Sequence, residues 1–248
     1  GTGITNLNST FRAVGTHNAQ STIFKFTGFD NLPNLTGVQN TFEYCRKITE
    51  LPHIDTSNVS SFSRFASNCI SLQKVPNYDT SSATRTDYMF SSCFNLREVP
   101  EFDLPNCTYA VSMFSSCYLL EKIPSGVFSI PYAQSLFNTC RTFKEIPSGI
   151  IINTTAANVN AGHRLISQNH NLTNLDNLAG FASGCYTREM FRDNYSLKSF
   201  PEVDGSEILD AASMFYNCPA LEKCGLSGIR VGIGFYNCLL GSGAIYDI

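Results

Sequence analysis

Ten cysteines and four histidines are the residues of this chain with the chemistry to hold a metal, close a disulfide or act as nucleophile and base. Their spacing points elsewhere. A zinc site wants thiolates or imidazoles paired at short intervals, so that one stretch of backbone presents two ligands, and no Cys-x-x-Cys pair occurs. The cysteines recur instead at a long, even interval. Cys45, Cys69, Cys93 and Cys117 lie 24 residues apart and Cys140 follows after 23; Asn169, Asn194, Cys218 and Cys238 continue the series at 29, 25, 24 and 20. An interval of this size, repeated, marks stacked repeats. Side chains at one repeat position point into a shared core, where cysteine behaves as a small hydrophobe, and in-register parallel turns suit the disulfide geometry poorly. The expectation is a core ladder of reduced thiols and two asparagines. Cys107 and Cys224 fall on other core columns, and Cys185 stands outside the pattern.

His17, His53, His163 and His170 have neither metal-ligand spacing nor a nucleophile partner, and no Gly-x-Ser-x-Gly, phosphate loop or dinucleotide fingerprint occurs. Asp30, Asp55, Asp79, Asp103 and Asp204 form a column of their own. Stacked carboxylates can hold calcium, but each of these precedes an apolar run of helical spacing, where an acidic cap is expected in any case. A glycosidase pair drawn from distant carboxylates is the remaining catalytic option, and periodicity already accounts for nearly every acidic residue. The chain reads as carrying no catalytic residue, no metal site and no cofactor, and so as no enzyme. Aromatic residues beside the Cys position are the candidate binding ridge. Phe94, Tyr118 and Tyr195 directly follow it, and Tyr44, Tyr216 and Tyr236 lie just before it. Exposed, they would suit glycan or protein contacts; otherwise they pack between turns.

The elements that would position these residues follow from the repeat. In the unit Asp55-Thr56-Ser57-Asn58, then Val59, Phe62, Phe65, Ala66 and Cys69, a capping cluster opens a run with apolar residues three and four apart, which is helical spacing. Leu72 to Val75 then reads as a short extended segment ended by Pro76. The expected fold is therefore an α/β solenoid of the leucine-rich-repeat type: about ten stacked turns of about 24 residues, each a short helix plus a short parallel strand. One solenoid is expected over residues 1–248, with a degenerate first turn in 1–34, regular repeats in 35–225, and a closing turn in 226–248 that stops before a C-terminal cap. Val14 takes the Cys place in the first turn. Five residues after each Cys, Glu50, Lys74, Glu98, Lys122 and Glu145 alternate in sign, and Arg97, Glu121 and Lys144 do so one position earlier. Stacked in parallel, these would make an exposed ion-pair ladder.

Composition bounds the partners. Charged residues make up only 15% of the chain and the net charge is -3, so phosphate neutralisation, and with it nucleic-acid binding, has nothing to work with. No apolar run approaches a membrane span, so no membrane insertion is expected. Seven Asn-x-Ser/Thr sequons, at Asn8, Asn34, Asn58, Asn106, Asn153, Asn171 and Asn194, matter only in a glycosylating host. The start at Gly1 reads as the edge of a fragment or of a processed chain.

Met89-Phe90-Ser91-Ser92-Cys93-Phe94-Asn95-Leu96-Arg97-Glu98-Val99-Pro100 resembles the repeat of BspA-like leucine-rich-repeat surface proteins, as do Met113 to Cys117, Met214 to Leu221 and the opening Asp55-Thr56-Ser57-Asn58-Val59. Residues 226–231 and 235–238 resemble the closing turns of versions encoded by tailed bacteriophages. The resemblance implies a non-enzymatic adhesion module on a phage tail or fibre, exposed on the virion and contacting a protein or glycan of the host cell surface. A bacterial cell-surface adhesin, or a passive structural or decoration component touching other virion proteins, is the alternative it leaves open. It brings no family-wide set of binding residues.

Overall fold

The computed structural model describes residues 3–15, 26–29, 32–155, 157–229 and 237–242. In it the segment leading up to each Cys or Asn position is not a helix. Among the described residues there is no α-helix, one 3-10 turn at Ser125–Ser129, and four short strands: β1 (Ile150–Ile152), β2 (Leu178–Phe181), β3 (Ser199–Asp204) and β4 (Lys223–Ser227). The expected helix-plus-strand repeat is thereby overturned. Two units build the chain, Gly1–Val127 and Phe128–Ile248.

The backbone hydrogen bonds show what replaces the helix. Phe62, Arg64, Ala66 and Asn68 donate their N–H groups to the carbonyls of Arg85, Asp87, Met89 and Ser91 in the next repeat, at 2.7–2.9 Å. The residues between them turn inward on their own segment: Phe65 donates to Phe62, Ser67 to Arg64 and Cys69 to Ala66, at 3.0–3.3 Å. Each such i to i+3 bond closes a β-turn. The second unit repeats the arrangement, with Thr187, Glu189, Phe191 and Asp193 donating to Asp210, Ala212, Met214 and Tyr216. An α-helix directs every N–H along its own axis and has none to give a neighbour. Overlapping turns also put residues three and four apart on one side. The apolar spacing is thus satisfied by either structure, and the bonds between repeats decide for turns.

This arrangement has a backbone signature. Every non-glycine residue of positive φ among the described residues lies either five or one before the Cys/Asn position: Asn40 and Tyr44, Arg64 and Asn68, Ser92, Ser116, Asp193 and Asn217 are examples, with φ between 55° and 62°. Ser9 and Ala13 hold the same places before Val14, with φ 56° and 61°. A turn of the type II class needs positive φ at its third residue. Asn, Asp and Ser tolerate that region best because their short side chains bond locally. Ten of the nineteen residues at these places are Asn or Ser, so some of the Asn and Ser in the chain answers to a backbone demand.

The extended halves are shorter than the sequence suggests. In the first unit, among the described residues, they shrink to one parallel bridge, Glu50↔Lys74. The cause is Pro52, Pro76 and Pro100, which have no N–H to carry a ladder onward. In the second unit Gly225 stands where those repeats have proline, and β3 pairs with β4 from Ser199↔Lys223 to Asp204↔Ser227, with an irregularity between Phe200 and Val203 that brackets Pro201. The β1–β2 pair is likewise parallel. Gly162 allows a further close approach: a Cβ there would lie 2.1 Å from the Tyr186 carbonyl oxygen.

Under the turns lies the core. Phe42, Phe90 and Phe114 in the first unit, and Phe137, Phe191 and Phe215 in the second, are fully buried three residues before the Cys position. Where Ala66 holds that place, Phe62 and Phe65 fill the space, their rings 5.9 Å apart at 85°. Each buried ring contributes roughly 1.5–3 kcal/mol.

The Cys/Asn position joins core to backbone. The thiols of Cys45, Cys69, Cys93, Cys117 and Cys218 donate to the carbonyls of Phe11, Phe42, Ala66, Phe90 and Phe191 in the preceding repeat, at 2.9–3.2 Å. Cys140 and Cys238 are buried at the same position. Asn194 does the same work with more reach: its Nδ2 donates to Ile166 and Phe191, both at 2.7 Å, and its Oδ1 accepts the Asn169 N–H at 2.8 Å. Asn169 Nδ2 donates to the Ser167 carbonyl at 3.0 Å. Burial pushes the Cys117 and Cys218 thiols up to about 12, and Cys69 and Cys93 well above the usual thiol value. Cys185 is also buried, donating to the Ile152 carbonyl at 3.1 Å.

Two outcomes follow. Asn194→Ala orphans buried polar groups and should lower unfolding stability by about 3 kcal/mol, with Asn194→Cys losing clearly less because a thiol still reaches one carbonyl; urea melts compare them, and an alanine variant as stable as the parent would sink the account. The raised thiols make the second outcome one of pH. A group whose folded pKa is raised stabilises fully below its unfolded value and loses that contribution as pH rises toward the folded one. Stability should therefore fall from pH 9 toward about 12, and at pH 8 Cys117 and Cys218 should react with a thiol reagent only after unfolding, behind the half-buried Cys224.

Candidate functional site

In the first unit the extended halves of three repeats form an open groove of about 610 Å³. Its floor is apolar, from Leu51, Val75, Val99 and the rings of Pro76 and Pro100, and Glu50, His53, Gln73, Lys74 and Glu98 stand around it. The prolines that stop the ladder thus line the recess. This volume lies within the range of small-ligand sites, which combine apolar walls with a few polar groups.

The charge ladder closes on one side of this groove and opens over it. Lys122 Nζ reaches Glu98 Oε2 at 3.2 Å, and Arg97 Nη1 pairs with Glu121 Oε1 at 2.5 Å. All four side chains are more than half exposed, so each pair adds about 0–1 kcal/mol. Lys74 and Glu50 meet through their backbones instead, and among the described residues neither makes an ion pair. Lys74, with His53 beyond it, is the cation the fold leaves uncommitted in the groove. Alternation of sign made these residues legible as a stack in the sequence; that one rung stays open over a recess was not legible, because it depends on side-chain placement.

The proposed aromatic ridge divides into separate contacts. Phe94 and Tyr118 stack on each other, ring centres 4.7 Å apart and planes within 7°. Tyr195 lies 4.8 Å from His170 and is 43% exposed. Tyr44 lies under the Arg12 guanidinium at 5.7 Å and Tyr216 under that of Arg192 at 4.6 Å. Tyr236 lies outside the described residues. Each of the five described rings packs on a neighbouring repeat, and among the described residues Phe94 and Tyr118 are the members of the set in mutual contact. The Arg–Tyr pairs went unread in the sequence, although a spacing of 24 residues from Arg192 to Tyr216 signals them.

Asp55, Asp79 and Asp204 cap turns. Asp55 Oδ1 accepts the Ser57 N–H at 3.1 Å and its hydroxyl at 2.8 Å, Asp79 holds Ser81 at 3.0 and 2.6 Å, and Asp204 holds Ser206 at 2.8 and 3.0 Å. The local bond is the one expected of a helix cap, and what it starts is a β-turn. At Asp103 the residue two further on is Pro105, which has no N–H to give. Asp30 lies outside the described residues. Among the described residues no three His, Cys, Asp or Glu side chains converge in a way that would hold a metal ion.

In the second unit one carboxylate gathers several cations. Glu189 Oε2 accepts Arg164 Nε and Arg192 Nη1, both at 2.9 Å, and lies 3.6 Å from His163 Nε2. Burial would raise the Glu189 carboxyl, but the two guanidinium bonds outweigh it and hold it below the ordinary value. Burial lowers the His163 imidazole against the pull of Glu189.

Comparison with known proteins adds likenesses to repeat proteins. A family model described as "Mycoplasma protein of unknown function, DUF285" matches residues 36–149, the stretch that holds the repeats from Cys45 to Cys140. No curated protein matches the chain. Among solved structures the chain is similar to a leucine-rich repeat protein from Bacteroides ovatus, at 18% identity and a TM-score of 0.33, covering 89% of this chain and 72% of that one. It is also similar to a leucine-rich cell surface protein from Faecalibacterium prausnitzii, at 15% identity and 0.28, covering 79% and 78%. A third is the plant peptide hormone receptor RGFR1 in complex with RGF2, at 12% identity and 0.26, covering 79% and 44%.

The capping aspartates carry a pH signature. Their hydrogen bonds from serine lower all three carboxyls, so the caps stabilise fully above the unfolded value of 3.8 and are lost as pH falls through the depressed folded values. Asp79→Asn with Asp55→Asn should flatten the acid limb of a stability-against-pH curve; an unchanged limb would assign acid sensitivity elsewhere.

Proposed function

We propose that the chain is a non-enzymatic adhesion module, displayed on a surface, that takes a cell-surface protein or glycan in the groove of its first unit. The observation that carries this reading is the open rung: Lys74 and Glu50 line an apolar-floored recess without pairing. Exposed charges on a repeat stack usually pair with the rung above or below, as Lys122 and Glu98 do here. A charge left out over a recess is available to a partner that supplies the missing counter-charge. The repeats supply the rest, since the exposed positions of this groove are free to vary without touching the buried columns beneath.

The resemblance of residues 226–231 and 235–238 to phage-encoded closing turns supports display on a phage tail or fibre, where the groove would meet the host cell. Display on a bacterial cell would make the same groove an adhesin's.

Labelled protein should bind intact bacterial cells of a receptive strain saturably and be displaced by excess unlabelled protein. Lys74→Glu should weaken that binding by about tenfold or more, the change that 1.4 kcal/mol produces, without altering the melting temperature. Absence of competable binding across a broad panel of strains, or equal binding by the variant, would overturn the reading.

A further inference from the structure

A second surface of the first unit, built from other residues, holds arginines in place with their outer nitrogens unspent. The guanidinium of Arg64 lies 4.5 Å from the centre of the Tyr88 ring, and that of Arg85 lies 4.4 Å from that of Tyr109. Each pair is 24 residues apart, so one repeat stacks its arginine on the tyrosine of the next. Carboxylates hold the inner edges. Arg85 Nε donates to Asp87 Oδ1 at 3.1 Å, and Asp87 also accepts the Ser63 hydroxyl at 2.8 Å. Glu43, almost fully buried, accepts Arg12 Nε at 2.6 Å and lies 3.6 Å from Arg64 Nη1. Among the described residues Nη1 and Nη2 of Arg12 and Arg85, and Nη2 of Arg64, make no hydrogen bond within the chain. The three arginine side chains remain about half exposed.

An arginine on a surface ordinarily loses much of its rotamer freedom when a ligand fixes it. Here ring stacking, joined by an Nε bond at Arg12 and Arg85 and by the Glu43 carboxylate 3.6 Å from Nη1 at Arg64, already restrains it, and what faces out are guanidinium nitrogens that match a carboxylate, sulfate or phosphate. Three guanidiniums face two carboxylates, and both carboxylates are occupied on the inner side. The patch is locally positive on a chain whose net charge is -3.

We infer that this face binds an acidic polysaccharide. Its carboxylate or sulfate groups take the forks of Arg64 and Arg85, and its hydroxyls meet the exposed Thr84 and Thr108 that directly precede Arg85 and Tyr109. Two other polyanions fit less well. Nucleic acid wants a broad basic field, which the chain lacks. An acidic protein partner wants large apolar anchors at the centre of the contact, and this patch presents rings already covered on one face.

The test is titration of the whole chain with dextran sulfate, polygalacturonate, neutral dextran and single-stranded DNA, followed by calorimetry. Saturable, salt-sensitive binding to one or both acidic polysaccharides is expected, with neutral dextran silent; sulfate or carboxylate is assigned by which polymer binds. The double variant R64Q/R85Q should bind at least about tenfold more weakly, while K122Q on the charge ladder leaves binding intact. R64K/R85K covers the case in which the neutral variant fails to fold: it keeps the charges, loses the forks, and is also expected to bind more weakly. No binding to either acidic polymer, equal loss in K122Q, or parental binding by R64K/R85K overturns the inference. DNA binding as tight as that of the polysaccharides, and lost in the same variants, overturns it in favour of a general polyanion site. Lys74→Glu separates this surface from the groove, because it should leave polysaccharide binding unchanged.

Discussion

Everything in the two units depends on where alternate backbone N–H groups go. As many as four of them in a repeat, as at Phe62, Arg64, Ala66 and Asn68, cross to carbonyls of the next repeat. Each bond is worth about 1 kcal/mol net, but the constraint matters more than the energy. With alternate donors committed outward, the remaining ones close four-residue β-turns. The backbone then enters the left-handed region twice per repeat, and ten of the nineteen non-glycine residues found there are Ser or Asn, the rest being Asp193 and single or paired Arg, Tyr, Ala, Thr, Gln and Glu.

The buried columns fit this frame. A buried apolar side chain, phenylalanine in most repeats but Ala66 and Ile166 in two, lies under the turns, and at Cys69, Cys93 and Cys117 the residue three further on ties its side chain to a carbonyl of the preceding repeat. Cysteine and asparagine exchange at this position because both can donate there. Asparagine adds an acceptor and so bridges to one more N–H, as Asn194 does to Asn169. Disulfide formation would remove these donors from the column, which is a reason for the thiols to stay reduced that packing alone does not supply.

Function falls to what the frame leaves over. Stacking consumes the inner face of each repeat, and inter-repeat contacts consume much of the aromatic surface, including Phe94 on Tyr118. In the first unit two places where charge is positioned but not spent are the open rung at Lys74 over the proline-lined groove and the arginines laid on Tyr88 and Tyr109. Both arise from the 24-residue interval, which places a side chain of one repeat over the equivalent position of the next.

The sequence by itself determined the register: the Cys/Asn positions, the apolar residue three before each (phenylalanine except at Ala66 and Ile166), and the capping aspartates recur in step, and periodicity survives any local conformation that keeps the repeats in step. It also set the sign alternation that pairs Lys122 with Glu98. It did not determine helix against turn, because apolar residues three and four apart suit both, and the choice rests on hydrogen bonds to a neighbouring repeat that no single segment reveals. Nor did it determine strand length, which the prolines cut to the one bridge Glu50↔Lys74 in the first unit, or which rung of the ladder stays open. Those were decided by tertiary structure, since each depends on which groups of two repeats come within bonding distance once the backbone is in place.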